Sequence, residues 1–194
     1  HLQLLSGSNK IMPKYFFLKK FINKNEAKSY SLKMFEASKN GEFYVDDQCN
    51  KSESFYNHKM FEELLEKTRR LVEKKTNVNL QSTFSYARIY KKGEVLSKHM
   101  DRNACEYSAT ITLDYSGEKP WNFHFKNKKE ESILINIGDI FIYDGVNLPH
   151  WRNALKDEWQ TQVMLFFSKK EKEKVHDEEK YKHVFNELYL KSKK

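Results

Sequence analysis

The sequence predicts a mainly β domain, an antiparallel sandwich or barrel with two helices packed on its outside and a further helix closing the chain. Three observations lead there. Residues 106–113 alternate strictly, with Tyr107, Ala109, Ile111 and Leu113 on one side and Ser108, Thr110 and Thr112 on the other. That is the period of a strand with two chemically different faces. Short apolar runs recur around it, separated by turn signals such as Lys91-Lys92-Gly93 and Gly138-Asp139, the pattern of antiparallel all-β folds. Two segments ahead of them carry the signals of helices.

In chain order, the apolar, aromatic residues 15–22 read as a strand. Asn23 followed by Glu26 resembles a capping box, which starts a helix over 24–37. Met60, Phe61, Leu64, Leu65, Leu71 and Val72 place a second helix over 56–74. Strands are expected over 83–90, 106–113, 121–125, 132–137, 140–143 and 160–167, and the closing helix over 175–190. The segments 41–57 and 115–121 read as loops.

With 194 residues, the chain fits one domain, assigned to residues 12–194 with its strand-rich core at 83–168. Residues 1–11, ahead of the first methionine, Met12, are set aside as an appended or trimmed end. A hydrophobic content of 39% with 14% aromatics excludes wholesale disorder. No apolar run reaches the roughly 18–20 residues of a membrane span. Cys49 and Cys105 are too few for a disulfide framework and form no CxxC pair, so free thiols and a cytoplasmic location are expected. The net charge of +8 could draw nucleic acid or acidic partners. However, the lysines cluster in runs such as 126–129 and 169–174, the latter mixed with glutamates, which reads as a solvated surface.

The chemistry concentrates in Ser97-Lys98-His99-Met100-Asp101-Arg102. In extended backbone, residues i and i+2 point the same way, so His99 and Asp101 could reach one metal ion. His150, in Asn147-Leu148-Pro149-His150-Trp151-Arg152, is the candidate third ligand. Two histidines and one carboxylate are the donor set of non-haem Fe(II) oxygenases. His-x-Asp alone is a weak signal; its setting between a strand, a Gly turn and an alternating strand strengthens it. His124 lacks such a setting and is expected to be structural, with His58, His176 and His183 on the surface.

Several of these segments resemble a known family, the prolyl-4-hydroxylase-like branch of the Fe(II)/2-oxoglutarate-dependent dioxygenases. The residues are Arg88-Ile89-Tyr90-Lys91-Lys92-Gly93, His99-Met100-Asp101, Ile137-Gly138-Asp139-Ile140-Phe141-Ile142-Tyr143 and Leu148-Pro149-His150. The family shows a Tyr-x-x-Gly segment before its His-x-Asp and a Gly-Asp turn before its distal histidine. The match covers about residues 83–167. The resemblance implies a double-stranded β-helix, or jelly roll, and Fe(II) held by His99, Asp101 and His150. It also implies 2-oxoglutarate chelating the iron, O2 as oxidant and ascorbate as a possible accompanying reductant. Hydroxylation of a C–H bond is then coupled to conversion of 2-oxoglutarate to succinate and CO2. Related halogenases lack the carboxylate ligand, so Asp101 favours hydroxylation.

One departure stands out. The family places an Arg or Lys nine or ten residues after the distal histidine, to pair with the far carboxylate of 2-oxoglutarate. Here those positions hold Trp159 and Gln160. A buried dianion needs a charged partner. Arg152, two residues past His150, is placed slightly ahead of Arg88, on the strand of Tyr86 and Tyr90. The alternative for either is a rim salt bridge. Tyr90 matches a family tyrosine that hydrogen-bonds the cosubstrate. Thr110 and Thr112 either line the pocket, with Thr112 placed against the cosubstrate, or form a solvated strand face. Trp121 and Trp151 either shape the mouth or pack structurally, and Cys105 is expected to be a passive thiol.

The expected substrate is a polypeptide side chain, prolyl first, with no membrane partner and nucleic acid disfavoured. A nucleobase or small-molecule oxygenase of the same superfamily is the second reading. A non-catalytic metal-binding jelly roll is the third.

Overall fold

The protein is described by a computed structural model over residues 14–170. The helix expected at 175–190, with His176 and His183, lies outside that range. Strand β1 (Tyr15–Leu18) leads to helix α1 (Lys24–Lys39), strand β2 (Glu53–Tyr56) and helix α2 (Glu62–Thr76). There follow β3 (Leu80–Lys91), β4 (Leu96–His99), β5 (Tyr107–Tyr115), β6 (Phe123–Lys126) and β7 (Glu130–Ile133). Strands β8 (Ile140–Asp144), β9 (His150–Arg152) and β10 (Trp159–Lys169) complete the described chain.

The helix starts follow from local chemistry. Asn23 accepts from the Glu26 backbone N–H at 2.8 Å, capping α1. The strand expected to run to Ile22 stops at Leu18, because the chain turns through a left-handed Lys20 whose N–H donates to Asp139. Helix α2 begins later than residue 56. His58, expected on the surface, accepts from the Met60 N–H and caps a short 3-10 turn at Lys59–Phe61. The expected loop 41–57 contains β2, bridged to Tyr44. The strand expected over 132–137 is shifted to β7; residues 134–136 lie outside the strands and Ile137 bridges Thr112 of β5.

The strands pair antiparallel in two sheets, ordered β1-β8-β5-β10-β3-β2 and β4-β9-β6-β7. On one face of the larger sheet, Ala87, Ile89, Ala109, Ile111, Val163 and Leu165 pack in one cluster with Ala27 and Met34 of α1 and Leu64 and Val72 of α2. This apolar stripe holds the helices against the sheet and forms the main core. The other face looks toward the smaller sheet. There Phe141 and Tyr143 of β8 pack with Phe123 and Phe125 of β6, joining the two sheets beside an open cavity.

Strand register orders that inner face into rows. Across β5, β10 and β3 they read Ser108–Phe166–Phe84, then Thr110–Met164–Tyr86, then Thr112–Gln162–Arg88. Gln160 opposite Tyr90 makes the last. The face therefore grades from aromatic to polar over about 20 Å, at roughly 3.3 Å per residue. Of the two readings of Thr110 and Thr112, the solvated strand face is excluded: both are buried, as is Ser108.

Candidate active site

A cavity of about 490 Å³ lies between the sheets, within the range of roughly 300–1,000 Å³ usual for ligand pockets. His99 ends β4 and sits opposite His150 of β9 in the register. Asp101 follows directly, its backbone N–H bonded to the Gly145 carbonyl at 2.8 Å. The Asp101 Oδ1 atom lies 3.6 Å from His99 Nε2 and 3.5 Å from His150 Nε2. The three donor atoms fall within 4.8 Å of one another.

The surroundings aim these donors. His99 Nδ1 is 2.7 Å from the Ser97 carbonyl and His150 Nδ1 is 2.8 Å from the Leu148 carbonyl. A carbonyl only accepts, so each Nδ1 carries the proton and each Nε2 keeps its lone pair, as metal ligands require. The second carboxylate oxygen of Asp101 accepts from Ser108 Oγ at 2.7 Å. Gly145 makes the approach possible: a Cβ there would overlap the Cys105 carbonyl, Ser108 Oγ and Asp101. Burial lowers the pKa of His150, with the Asp101 charge opposing. Burial also works against a charged His99, yet Asp101 and the Ser97 carbonyl outweigh it and raise that pKa. Tyr143, buried with its hydroxyl 3.4 Å from His150 Nε2, was not singled out from sequence.

The two arginines differ sharply. Arg88 is buried but compensated: it pairs with Asp46 and reaches Ser54 Oγ at 3.2 Å. Arg152 is buried without a carboxylate among the described ion pairs. One nitrogen donates to the Trp121 carbonyl, and Nη2 has no partner among the described residues. The rings of Trp121 and Phe123 lie 5.0 and 5.2 Å from its guanidinium. Burial pulls its pKa down to about 10. Gln160, at the family's anchor position, accepts from the Trp121 N–H and donates to Gln162.

Tyr90 lines the cavity, as does Thr110. Thr112, expected to contact the cosubstrate, is off the cavity wall; its hydroxyl donates to Gln162 at 3.1 Å. Trp121 is buried and donates to the Asn153 carbonyl. Trp151 stacks on His124 outside the cavity with Lys98 over its ring. Cys49 and Cys105 are buried thiols not joined in a disulfide. Among the described residues no helix is long and apolar enough to cross a membrane.

No protein-family model matches the sequence, and no curated protein matches it. Solved structures do. A prolyl-4-hydroxylase from Pseudomonas putida superposes with a TM-score of 0.68 at 10% identity, covering 80% of this chain and 93% of its own. HygX from Streptomyces hygroscopicus, with nickel and 2-oxoglutarate bound, gives 0.66 at 11%, covering 82% and 84%. The viral collagen prolyl hydroxylase of Paramecium Bursaria Chlorella virus-1, in complex with 2-oxoglutarate, gives 0.60 at 15%, covering 80% and 96%. The chain thus has the fold of the prolyl hydroxylases and related 2-oxoglutarate/Fe(II) oxygenases.

Proposed function

We propose that the protein is an Fe(II)- and 2-oxoglutarate-dependent oxygenase with a jelly-roll core, hydroxylating an unactivated C–H bond on a polypeptide side chain. The observation that carries this reading is one cavity holding both a three-donor cluster and an unpaired buried guanidinium. His99, Asp101 and His150 offer two imidazoles and one carboxylate, which suit Fe(II) and leave positions open. Arg152 supplies the missing anchor for a distal carboxylate, since an uncompensated buried cation calls for an anion.

Charge balance supports the choice of ligand. Arg88 and Asp46 cancel. A divalent metal less the Asp101 charge, with Arg152, leaves two positive charges, which a dianion such as 2-oxoglutarate offsets. Bound iron and 2-oxoglutarate would supply the activation of O2, yielding succinate, CO2 and the hydroxylated product. The chain's own part is positional. Ser97 and Leu148 fix the imidazole tautomers, Ser108 orients Asp101, and Tyr90 adds a hydroxyl to the inner wall near both arginines. Polypeptide is the chosen substrate class because two of the fold relatives are prolyl hydroxylases, an argument from analogy.

The test is succinate formation from Fe(II), 2-oxoglutarate, O2 and ascorbate, alongside mass analysis of proline-containing peptides. Succinate should form with wild-type protein, and peptide should gain one oxygen atom. Both should vanish in His150→Ala. Equal succinate from the variant would refute the assignment.

A further inference from the structure

The outer half of the cavity differs from the inner half, and it says what kind of group approaches the metal. Beside Asp101 lies a cluster of Phe84, Ala104, Cys105 and Phe166, with Tyr86 and Met164 packed against it. Phe84 and Phe166 sit 4.6 Å apart between ring centroids, and Tyr56 stacks on Phe84 at 5.1 Å. Exposed apolar side chains continue toward solvent. Met100 lines the cavity and is 57% exposed, and Val45 adjoins the lining residue Asp46.

Among the described residues, the acidic and guanidinium side chains on the wall are Asp46, Asp47, Arg88, Asp101, Arg102 and Arg152. Asp101 and Arg152 belong to the proposed metal and cosubstrate. Asp47 and Arg102 are exposed, where water and salt screen them. That leaves Arg88, which a ligand could use only if Asp46 let it go. Asp46 is well placed to keep it. One carboxylate oxygen takes Arg88 Nη2 and the Tyr86 hydroxyl. The other accepts the Gln48 and Cys49 backbone N–H groups, each at 3.0 Å. Against the cost of burial, Arg88 and these hydrogen bonds hold the Asp46 carboxyl below its usual pKa.

We propose that Asp46 sets the substrate class. By masking Arg88 it leaves the cavity beyond the metal and cosubstrate positions, among the described residues, with no unpaired buried charge to offer, so the group presented to the metal is uncharged and apolar, gripped by the Phe84–Phe166 wall. This rests on the oxygenase reading for the assignment of the inner half to metal and cosubstrate. A charged substrate group would lose its hydration there without gaining a partner. An apolar group gains contact with aromatic and thioether surface.

The experiment uses the full chain loaded with Ni(II), as a redox-inert stand-in, and 2-oxoglutarate. Its probes are the N-acetyl amides of leucine, phenylalanine, proline, lysine and aspartate, with binding read by ligand-observed NMR. The three apolar probes should bind at least about tenfold tighter than the two charged ones. In Asp46→Asn, which can still accept the loop N–H groups, the aspartate probe should gain at least about tenfold. Adding Arg88→Gln should remove that gain. Phe166→Ala should weaken the apolar probes, an arm that stands even where Asp46→Asn does not fold. Charged probes binding as well as apolar ones in wild type, no probe binding, or no gain for the aspartate probe in folded Asp46→Asn overturns the proposal. Affinity for 2-oxoglutarate is measured first. Its absence defeats the oxygenase reading, whereas intact 2-oxoglutarate binding with the wrong probe preference defeats the Asp46 proposal alone.

Discussion

The two faces of the six-stranded sheet are both buried, yet they are built from opposite chemistry. The helix-facing side is mostly apolar, with Ala109, Ile111, Val163 and Leu165 fully shielded and Thr161 bonded to Ser31 of α1 as a polar exception. The cavity-facing side buries Thr110, Gln162, Arg88 and Tyr90 on the same strands. The first face is stabilised by removing hydrocarbon from water. The second spends part of that stability to hold polar groups dry, which is worthwhile only where a ligand completes them. Arg152, projecting from the smaller sheet, is the clearest case, because its Nη2 has no partner among the described residues.

Substitutions on each face should separate these roles. The largest effect belongs to the metal cluster. His150→Ala or Asp101→Ala should remove stoichiometric metal binding, weakening it more than about a hundredfold, while circular dichroism stays native. Anaerobic titration with Fe(II) checks this; unchanged one-to-one binding would break the assignment. On the helix-facing side, Ile111→Ala should cost about 2–5 kcal/mol in a denaturant titration, with metal affinity preserved. A parallel collapse of metal binding would show that the two faces are not separable.

The arginines sharpen the contrast further. Arg152→Met removes an uncompensated buried cation, so the metal-free protein should gain about 1–3 kcal/mol. Arg88→Met leaves Asp46 without its partner and should lose stability instead. Thermal or denaturant melts of the two variants should therefore move in opposite directions; movement in the same direction contradicts the pairing described here.

The smallest effect is the pH dependence. Burial favours neutral His99, but Asp101 and the Ser97 carbonyl raise its pKa. In the metal-free protein this contributes stability that is fully present below the unfolded value, near 6.5, and lost as pH rises through the folded one. Metal binding runs the other way, because it needs the unprotonated ring. Affinity for Ni(II) should thus fall as pH drops through the raised pKa, approaching about tenfold per pH unit. His150, whose pKa burial lowers, should add its own proton only at lower pH. Flat affinity from about pH 8 to 6 would contradict this.

The helix-facing side was legible in sequence because periodicity reports it directly: Tyr107, Ala109, Ile111 and Leu113 mark a strand without further context. The pairing of His99 and Asp101 within the three-donor cluster was legible because their spacing is local and turn residues flank it. The cavity-facing side was not. Ser108, Thr110 and Thr112 alternate as a solvated face would, and only the second sheet decides otherwise. The choice between Arg88 and Arg152 turns on Asp46, which lies 42 residues before Arg88 in a segment that carries no pattern. Strands β4 and β9 are too short for periodicity to register. The need for glycine at 145 comes from three groups meeting in space, not from a local turn signal.

The proposed cosubstrate site stands on Arg152, buried on the cavity wall shared with the His99–Asp101–His150 cluster. Calorimetric titration of 2-oxoglutarate into Ni(II)-loaded wild-type and Arg152→Met protein tests it most directly. Wild type should bind one equivalent, and the variant should bind about 1.5–3 kcal/mol more weakly, roughly tenfold to over a hundredfold. Equal affinity in the two proteins, or no 2-oxoglutarate binding to metal-loaded wild type, would contradict the account.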